Sequence, residues 1–326
     1  MGDGAVRDRP VPPLEQVRGW LTSLSTWGRW GPDDDLGTLH HIGPSEQAAA
    51  IALATGAATV SCALPIRYER PAHGARGANS GDPHAAWGVP TRFVVQDGAA
   101  AQSPAKRHPA YDAFLIAPHG PLVTHLDAPG HTVLDGHVYN GLPPTTETAA
   151  GPKPGSIEAV RNGIVGRGVL LDVPALTGRE WLEDGEPVHP EDLEACEARA
   201  GLRVGRGDLL FVRTGYRKRL PQGPATRYAP RPGLQAACLP WLSEREIALI
   251  ASDVAIDVYP HGYEELGLPI HTVGMWAMGL WLIDNCGLEQ LAAECRDRQR
   301  WSFLMVVAPL VLGSGTGSPV NPLALF

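Results

Sequence analysis

The segment Thr124-His125-Leu126-Asp127-Ala128-Pro129-Gly130-His131 holds two imidazoles and a carboxylate within seven positions, and Asp135-Gly136-His137 follows close behind. On an extended segment, alternation puts the side chains of His125 and Asp127 on one face. Pro129-Gly130 then turns the chain, which can bring His131 back toward the same point. Neutral imidazole plus carboxylate is the ligand set expected for zinc or manganese. A polar loop with locally satisfied histidines is the competing reading, and the rest of the chain has to decide between them.

A metal site needs further ligands, and the second-half candidates are Asp253, Asp257, His261, His271 and Asp284. Asp253 and Asp257 fall in or at the end of an apolar run, where a carboxylate must be paired or ligating. His271 and Asp284 are thirteen residues apart, which on a continuous α-helix means opposite faces. They can share a metal only if the helix ends near Gly279. A bound Zn²⁺ or Mn²⁺ with an open position lowers the pKa of a water and polarises a carbonyl. His131 is then the natural general acid/base beside it, a combination suited to hydrolysis of an amide, lactam or ester. Other schemes are weaker: there is no Gly-x-Ser-x-Gly elbow and no cysteine in a catalytic context. The run from Gly313 to Pro319 lacks the Gly-Lys-Ser/Thr ending of a phosphate loop and reads as a tight turn closing over the core or a pocket. Trp27, Trp30, His84 and Trp87 are candidate substrate walls, with ordinary packing the alternative for each.

The elements that must position these groups alternate between strand and helix. Leu14 to Ser25 reads as a short amphipathic helix, and Ser45 as the cap of an Ala-rich helix through Ala54, closed by Gly56. Ala58 to Leu64 and Thr91 to Gln96 read as strands. The stretch from Ile66 to Pro109 is otherwise loop-like, a length that in a compact domain points to function or mobility. Val169 to Val173, Asp208 to Arg213, Ile247 to Val258 and Phe303 to Leu310 are apolar, largely β-branched runs expected to be buried strands. Pro190 to Ala200 reads as a helix with an acidic first turn. Another is expected after Ser243, where Ser243-Glu244-Arg245-Glu246 has the capping-box pattern, and His271 to Leu282 reads as a buried apolar helix. No linker separates these elements. The expectation is one α/β domain over residues 14–326 with N-terminal helical decoration, preceded by an extended or disordered residues 1–13.

Composition narrows the function classes. In 326 residues, 44% are hydrophobic and 19% charged, as in a globular domain with a substantial core. A net charge of −8 argues against nucleic acid or an anionic membrane as a partner. Cys62, Cys196, Cys238, Cys286 and Cys295 are scattered without a Cys-x-x-Cys pair, which suits buried free thiols in a reducing compartment. The N-terminus carries no apolar signal core, and no run approaches the ~20 apolar residues of a membrane span. A cytoplasmic protein acting on a small molecule is expected.

The cluster and its surroundings resemble the cyclase superfamily that includes bacterial kynurenine formamidase and isatin hydrolase. The hallmark His-x-Gly-Thr-His-x-Asp-x-Pro-x-His aligns with Pro121 through His131. Trp30-Gly31-Pro32-Asp33-Asp34-Asp35-Leu36-Gly37-Thr38-Leu39, His119-Gly120, Asp135-Gly136 with Tyr139-Asn140-Gly141, Gly166 to Asp172, Arg213-Thr214-Gly215, Ala308-Pro309-Leu310 and Gly315 to Pro322 are similar to a large divergent branch. The resemblance implies a swivelling β/β/α fold with a mixed sheet or barrel core, assembled as a homodimer or homotetramer. It also implies a Zn²⁺ or Mn²⁺ ion, with His125 and Asp127 as ligands, His131 as the acid/base, and His271 and Asp284 at the later ligand positions, where the family has Glu in place of Asp284.

Two positions depart from the hallmark. Its first His is Pro121 here and its Gly is Val123. Proline cannot ligate, so one ligand of the usual site is missing. His119, two residues earlier, is a substitute ligand or else a substrate contact. Three outcomes follow: a metal held by His125, Asp127 and His271 with help from Asp284; one metal where the family has two; or an inherited pocket without metal. The last suits a biosynthetic cyclase or dehydratase using His131 and Asp127, or a binding protein.

Overall fold

The computed structural model describes residues 9–56, 58–67, 90–96, 110–144, 155–219 and 229–326. In chain order its strands are β1 (Thr59–Ser61), β2 (Thr91–Gln96), β3 (Tyr111–Leu115), β4 (His125–Asp127), β5 (Ile164–Asp172), β6 (Pro187–Val188) and β7 (Leu209–Arg213). They continue with β8 (Gly233–Leu234), β9 (Leu249–Ser252), β10 (Trp281–Asp284), β11 (Ser302–Val307), β12 (Gly317–Pro319) and β13 (Leu323–Leu325). The helices are α1 (Leu14–Ser23), α2 (Pro44–Ile51), α3 (Pro190–Ala200), α4 (Tyr216–Arg219), α5 (Cys238–Glu244) and α6 (Glu289–Arg298).

Nine strands form one mixed sheet in the order β1-β13-β11-β5-β7-β9-β10-β4-β12. Its centre, β5-β7-β9-β10, is parallel, and the strands on either side run antiparallel. The central strands are covered on both faces, which is why they read as continuous apolar runs rather than alternating ones. Side chains still alternate in destination. Leu171, Leu210, Val212, Ile250 and Leu282 join the core under α1, α3 and α5. Leu170, Leu209, Phe211, Leu249, Trp281 and Ile283 join Phe303, Met305 and Phe326 on the other side.

The connectivity forces this sheet to curl. β12 and β13 sit seven strand positions apart in the sheet order, roughly 34 Å if the sheet were flat. The chain passes from Pro319 to Leu323 in four steps, at most about 14 Å. The two edges must therefore approach, and they do: the Leu64 N–H donates to Thr124 Oγ1 at 2.8 Å and the Val320 N–H to the Thr124 carbonyl at 3.1 Å. The result is a half-barrel, the α/β single-domain fold with a mixed sheet/barrel core expected above, with α1 laid on its outside.

Several local expectations needed correction. Helix α2 starts at Pro44 with Gly43 as its cap, and Glu46 reaches back to accept from the Gly43 N–H at 2.9 Å; Ser45 lies inside the first turn. Ser243 ends α5 instead of opening a helix. Leu239-Pro240 was the unread signal, since proline is tolerated only in a first turn. The run from Ile247 to Val258 is a strand only through Ser252, because the Asp253 side chain is captured by a neighbouring loop. Ile270–Ala277 is a π-helical segment, a rare conformation that recurs at functional sites. It stops before Gly279 (φ +64°), where a Cβ would lie 2.6 Å from Cζ of Tyr139. This early stop lets the chain re-enter the sheet as β10.

Candidate metal centre

Strand β4 lies between β10 and β12, with Asp284 paired to His125 and Leu282 and Gly317 both opposite Asp127. Paired residues share a face, so His125, Asp127 and Asp284 all point toward the side covered by the π-helical segment, while Leu126 points into the opposite core. The turn Pro129–His131 is 3₁₀-helical and carries His131 back over the same face. The segment Ile270–Ala277 supplies His271. The sheet register and the early end of that helical segment thus converge five side chains from three parts of the chain.

Asp127 is the centre of the group and is 1% exposed. Its Oδ1 lies 2.7 Å from Nδ1 of His119 and 3.6 Å from Nε2 of His125, and its Oδ2 is 4.0 Å from Nε2 of His271. Nε2 of His271 is 3.4 Å from Oδ2 of Asp284. The His131 ring stacks on His119 at 4.0 Å between centroids. Donor atoms of His125, Asp127 and Asp284, and likewise of His119, Asp127 and His131, lie within 4.8 Å of one another. Both triads share Asp127.

The tautomers are fixed from outside. The His125 Nδ1–H donates to the Val123 carbonyl at 2.8 Å, and the His271 Nδ1–H to Oδ2 of Asp257 at 2.6 Å. Each ring therefore turns its Nε2 inward, the nitrogen left for a metal ion. Asp257 is itself held by the Ile270 N–H at 2.7 Å, so it positions His271 from behind, the carboxylate–imidazole arrangement common around metals. Carboxylate oxygens and ring nitrogens thus crowd one buried point. Oδ1 of Asp127 and Nδ1 of His119 are buried with no hydrogen bond of acceptable geometry. Buried polar atoms are seldom left unpaired, and this donor set is the type that holds a divalent cation.

The same field perturbs the protonation equilibria. Burial alone would raise the Asp127 pKa, but His125, His131 and His119 outweigh it and hold the carboxyl well below its usual range. Burial pushes the His131 pKa down to about 4, with the surrounding imidazoles adding to the effect and Asp127 opposing it. His131 is therefore an unprotonated base at neutral pH. For His271, burial acts downward but Asp284 and Asp257 prevail, and its pKa is raised well above the ordinary value.

Other sequence candidates lie elsewhere. Asp253 accepts from the Thr214 N–H and Oγ1–H and the Gly215 N–H at 2.7–2.8 Å, which makes it a fastener of that loop. His261 packs between Tyr259 and Tyr263. Trp30 packs against Arg29, His40 and His41, and among the described residues none of its ring contacts reaches the imidazole cluster. Trp27 packs at a tilt against Trp276, 4.3 Å between ring centroids, and donates from Nε1 to its carbonyl. His84 and Trp87 fall outside the described residues. All five cysteines are buried and unpaired, and burial raises the Cys286 thiol pKa far above its normal value, so it packs and does not react.

Comparison with known proteins decides the family. The model of the Cyclase family matches residues 60–258, more than half of the chain. The chain belongs to the cyclase family. Among solved structures, one described as a novel cyclase is 27% identical and superposes with a TM-score of 0.81, covering 97% of this chain and all of the other. Isatin hydrolase A from Labrenzia aggregata, bound to benzyl benzoate, is 18% identical with a TM-score of 0.55, over 82% of this chain and 93% of its own. Isatin hydrolase A from Ralstonia solanacearum is 19% identical with a TM-score of 0.55, over 82% and 91%. At that identity the hydrolases show the shared fold. No curated protein matches the sequence. Among the described residues of this cyclase-family chain, no helix is long and apolar enough to cross a membrane.

Proposed function

We propose that this cyclase-family protein is a metal-dependent hydrolase acting on a C–N (amide or lactam) or ester bond of a small cyclic or aryl substrate. The observation that carries the proposal is Asp127, a fully buried carboxylate with one oxygen unpaired among inward-facing imidazoles. His125, Asp127, His271 and Asp284 would hold a Zn²⁺ or Mn²⁺ ion, which when bound supplies a polarised carbonyl and a more acidic water. Asp127 and Asp284 neutralise the charge of such an ion, and Asp257 keeps His271 in the ligating tautomer. His131 stacks on His119 beside these residues, with its base form populated at neutral pH. It accepts the proton of the attacking water and returns it to the departing nitrogen or oxygen. Its low pKa makes the protonated ring a strong acid for that second transfer.

Elemental analysis of the purified protein, together with turnover of a panel of lactams, aryl amides and esters, tests the reading. Bound zinc or manganese is expected, with turnover abolished by chelators and restored by the metal. His131→Gln is expected to lower kcat by about 10²–10⁴-fold while leaving the metal content unchanged. Full activity of a metal-free, chelator-treated protein would sink the proposal. Pro121 at the hallmark's first position favours a second reading, a cyclase or dehydratase in the same pocket. Product mass separates the two, since hydrolysis adds a water to the substrate and cyclisation does not.

A further inference from the structure

The loss of the hallmark's first imidazole at Pro121 leaves this pocket short of one ligand, and the structure shows another imidazole in the vicinity. His119 is carried on a loop that two side chains hold from behind. Asn285 donates from Nδ2 to the Gly120 carbonyl at 2.9 Å, and Arg217 from Nη2 to the Pro121 carbonyl at 3.1 Å. Arg217 also bonds Oδ1 of Asn285 and, at 2.8 Å, the Asp253 carbonyl. Gly120 has φ +152°, backbone that a side chain disfavours, so the chain redirects there between His119 and Pro121. Strand β12 leaves room for the ring: a Cβ on Gly317 would sit 2.6 Å from its Cε1. On the far side the ring is backed by His131.

The two ring nitrogens of His119 are in different situations. Nε2 lies 3.0 Å from Oγ1 of Thr316, its hydrogen-bond partner. Nδ1 lies 2.7 Å from Oδ1 of Asp127, yet neither atom has a hydrogen bond of acceptable geometry. If Nε2 carries the proton, two lone-pair atoms face each other at that distance. If Nδ1 carries it, the proton is misdirected relative to the carboxylate. In either neutral tautomer the contact is unfavourable by itself, and it becomes favourable when both atoms bind one cation.

We infer that His119 replaces the missing hallmark imidazole as a metal ligand through Nδ1, with Thr316 holding the ring from Nε2. The inference rests on the metal-dependent reading above. It adds to the His125, Asp127, His271 and Asp284 set of that reading an imidazole on the other side of Asp127, where His119, Asp127 and His131 lie together, two residues from the hallmark position.

The test is zinc affinity, measured by competition with a chromophoric chelator, together with the visible spectrum of the Co²⁺-loaded protein. Wild type, His119→Ala and Thr316→Val are compared. His119→Ala is expected to weaken zinc binding by about 100-fold and to change the cobalt bands. Thr316→Val, near-isosteric and away from the ion, is expected to weaken it by roughly 10-fold. It also serves as the probe if His119→Ala loses its native circular dichroism. Wild-type affinity and spectrum in His119→Ala, or in Thr316→Val where that variant stands in, overturns the inference and leaves the hydrolase reading intact. Failure of the wild-type protein to take up either metal overturns the metal reading itself, and the inference with it.

Discussion

Asp253 and Asp127 are both buried aspartates at strand ends, and they differ in how their oxygens are used. Asp253 accepts three hydrogen bonds from Thr214 and Gly215. Burial raises its pKa, but those donors work against the shift. Asp127 has Oδ1 unpaired and imidazoles on several sides. A buried carboxylate whose lone pairs are all occupied fastens the fold, whereas one whose lone pairs point at other acceptors is built to receive a cation. Asp257 stands between these cases, fully buried and bonded to two elements of the same helical segment, where it orients a ligand without touching the centre.

The sharpest way to break the comparison is the same substitution at both sites. Asp127→Asn is expected to abolish stoichiometric metal binding and lower turnover on the order of 10³-fold, read by elemental analysis and kcat/KM. Asp253→Asn is expected to retain metal but lose about 2–3 kcal/mol of stability in urea denaturation, because an amide N–H₂ replaces one acceptor opposite buried donors. If the two variants exchanged phenotypes, the distinction would be wrong. Asp257→Asn should fall between, with metal affinity reduced by about 10–100-fold and the fold retained.

The smallest effect lies away from all three aspartates. His41 is buried, and Arg206 Nη1 donates to its Nδ1 at 3.0 Å, which requires the neutral ring. Burial chiefly, aided by Arg206 and Arg29 and opposed by Glu246, lowers its pKa to about 4. Because this lies below the unfolded value near 6.5, the unfolded chain binds the extra proton first as pH falls. The stability that neutral His41 contributes is therefore complete above about pH 6.5 and is lost as pH drops toward 4. Denaturation at pH 7 and pH 5 should show a loss that His41→Gln reduces.

Much of this was legible from residue types alone. Helix α3 runs over the expected residues because Pro190 starts it, Glu191 and Asp192 favour its first turn and Gly201 (φ +63°) stops it. His125, Asp127 and His131 declare themselves by spacing, since alternation and one turn suffice to gather them. His271 and Asp284 could be joined only by knowing where a helix stops, and Gly279 was the legible hint. The position of His119 could not be read. It depends on Asn285, Arg217 and Thr316, each remote in sequence, and on a glycine opposite it across the sheet. Ser243 misled because a capping pattern is local, whereas the helix that ends there is set by burial of Leu239 and Leu242.

Strand β4 has partners on both sides that are synthesised long after it, β10 beginning at Trp281 and β12 at Gly317. During translation the ribosome therefore extrudes His125 to Asp127 well before either neighbour exists, leaving both edges of the strand open to other chains. An apolar strand in that position would invite aggregation. This one is only three residues long, and two of the three are His and Asp. The side chains that gather the candidate metal centre in the finished protein thus act as gatekeepers for the nascent one.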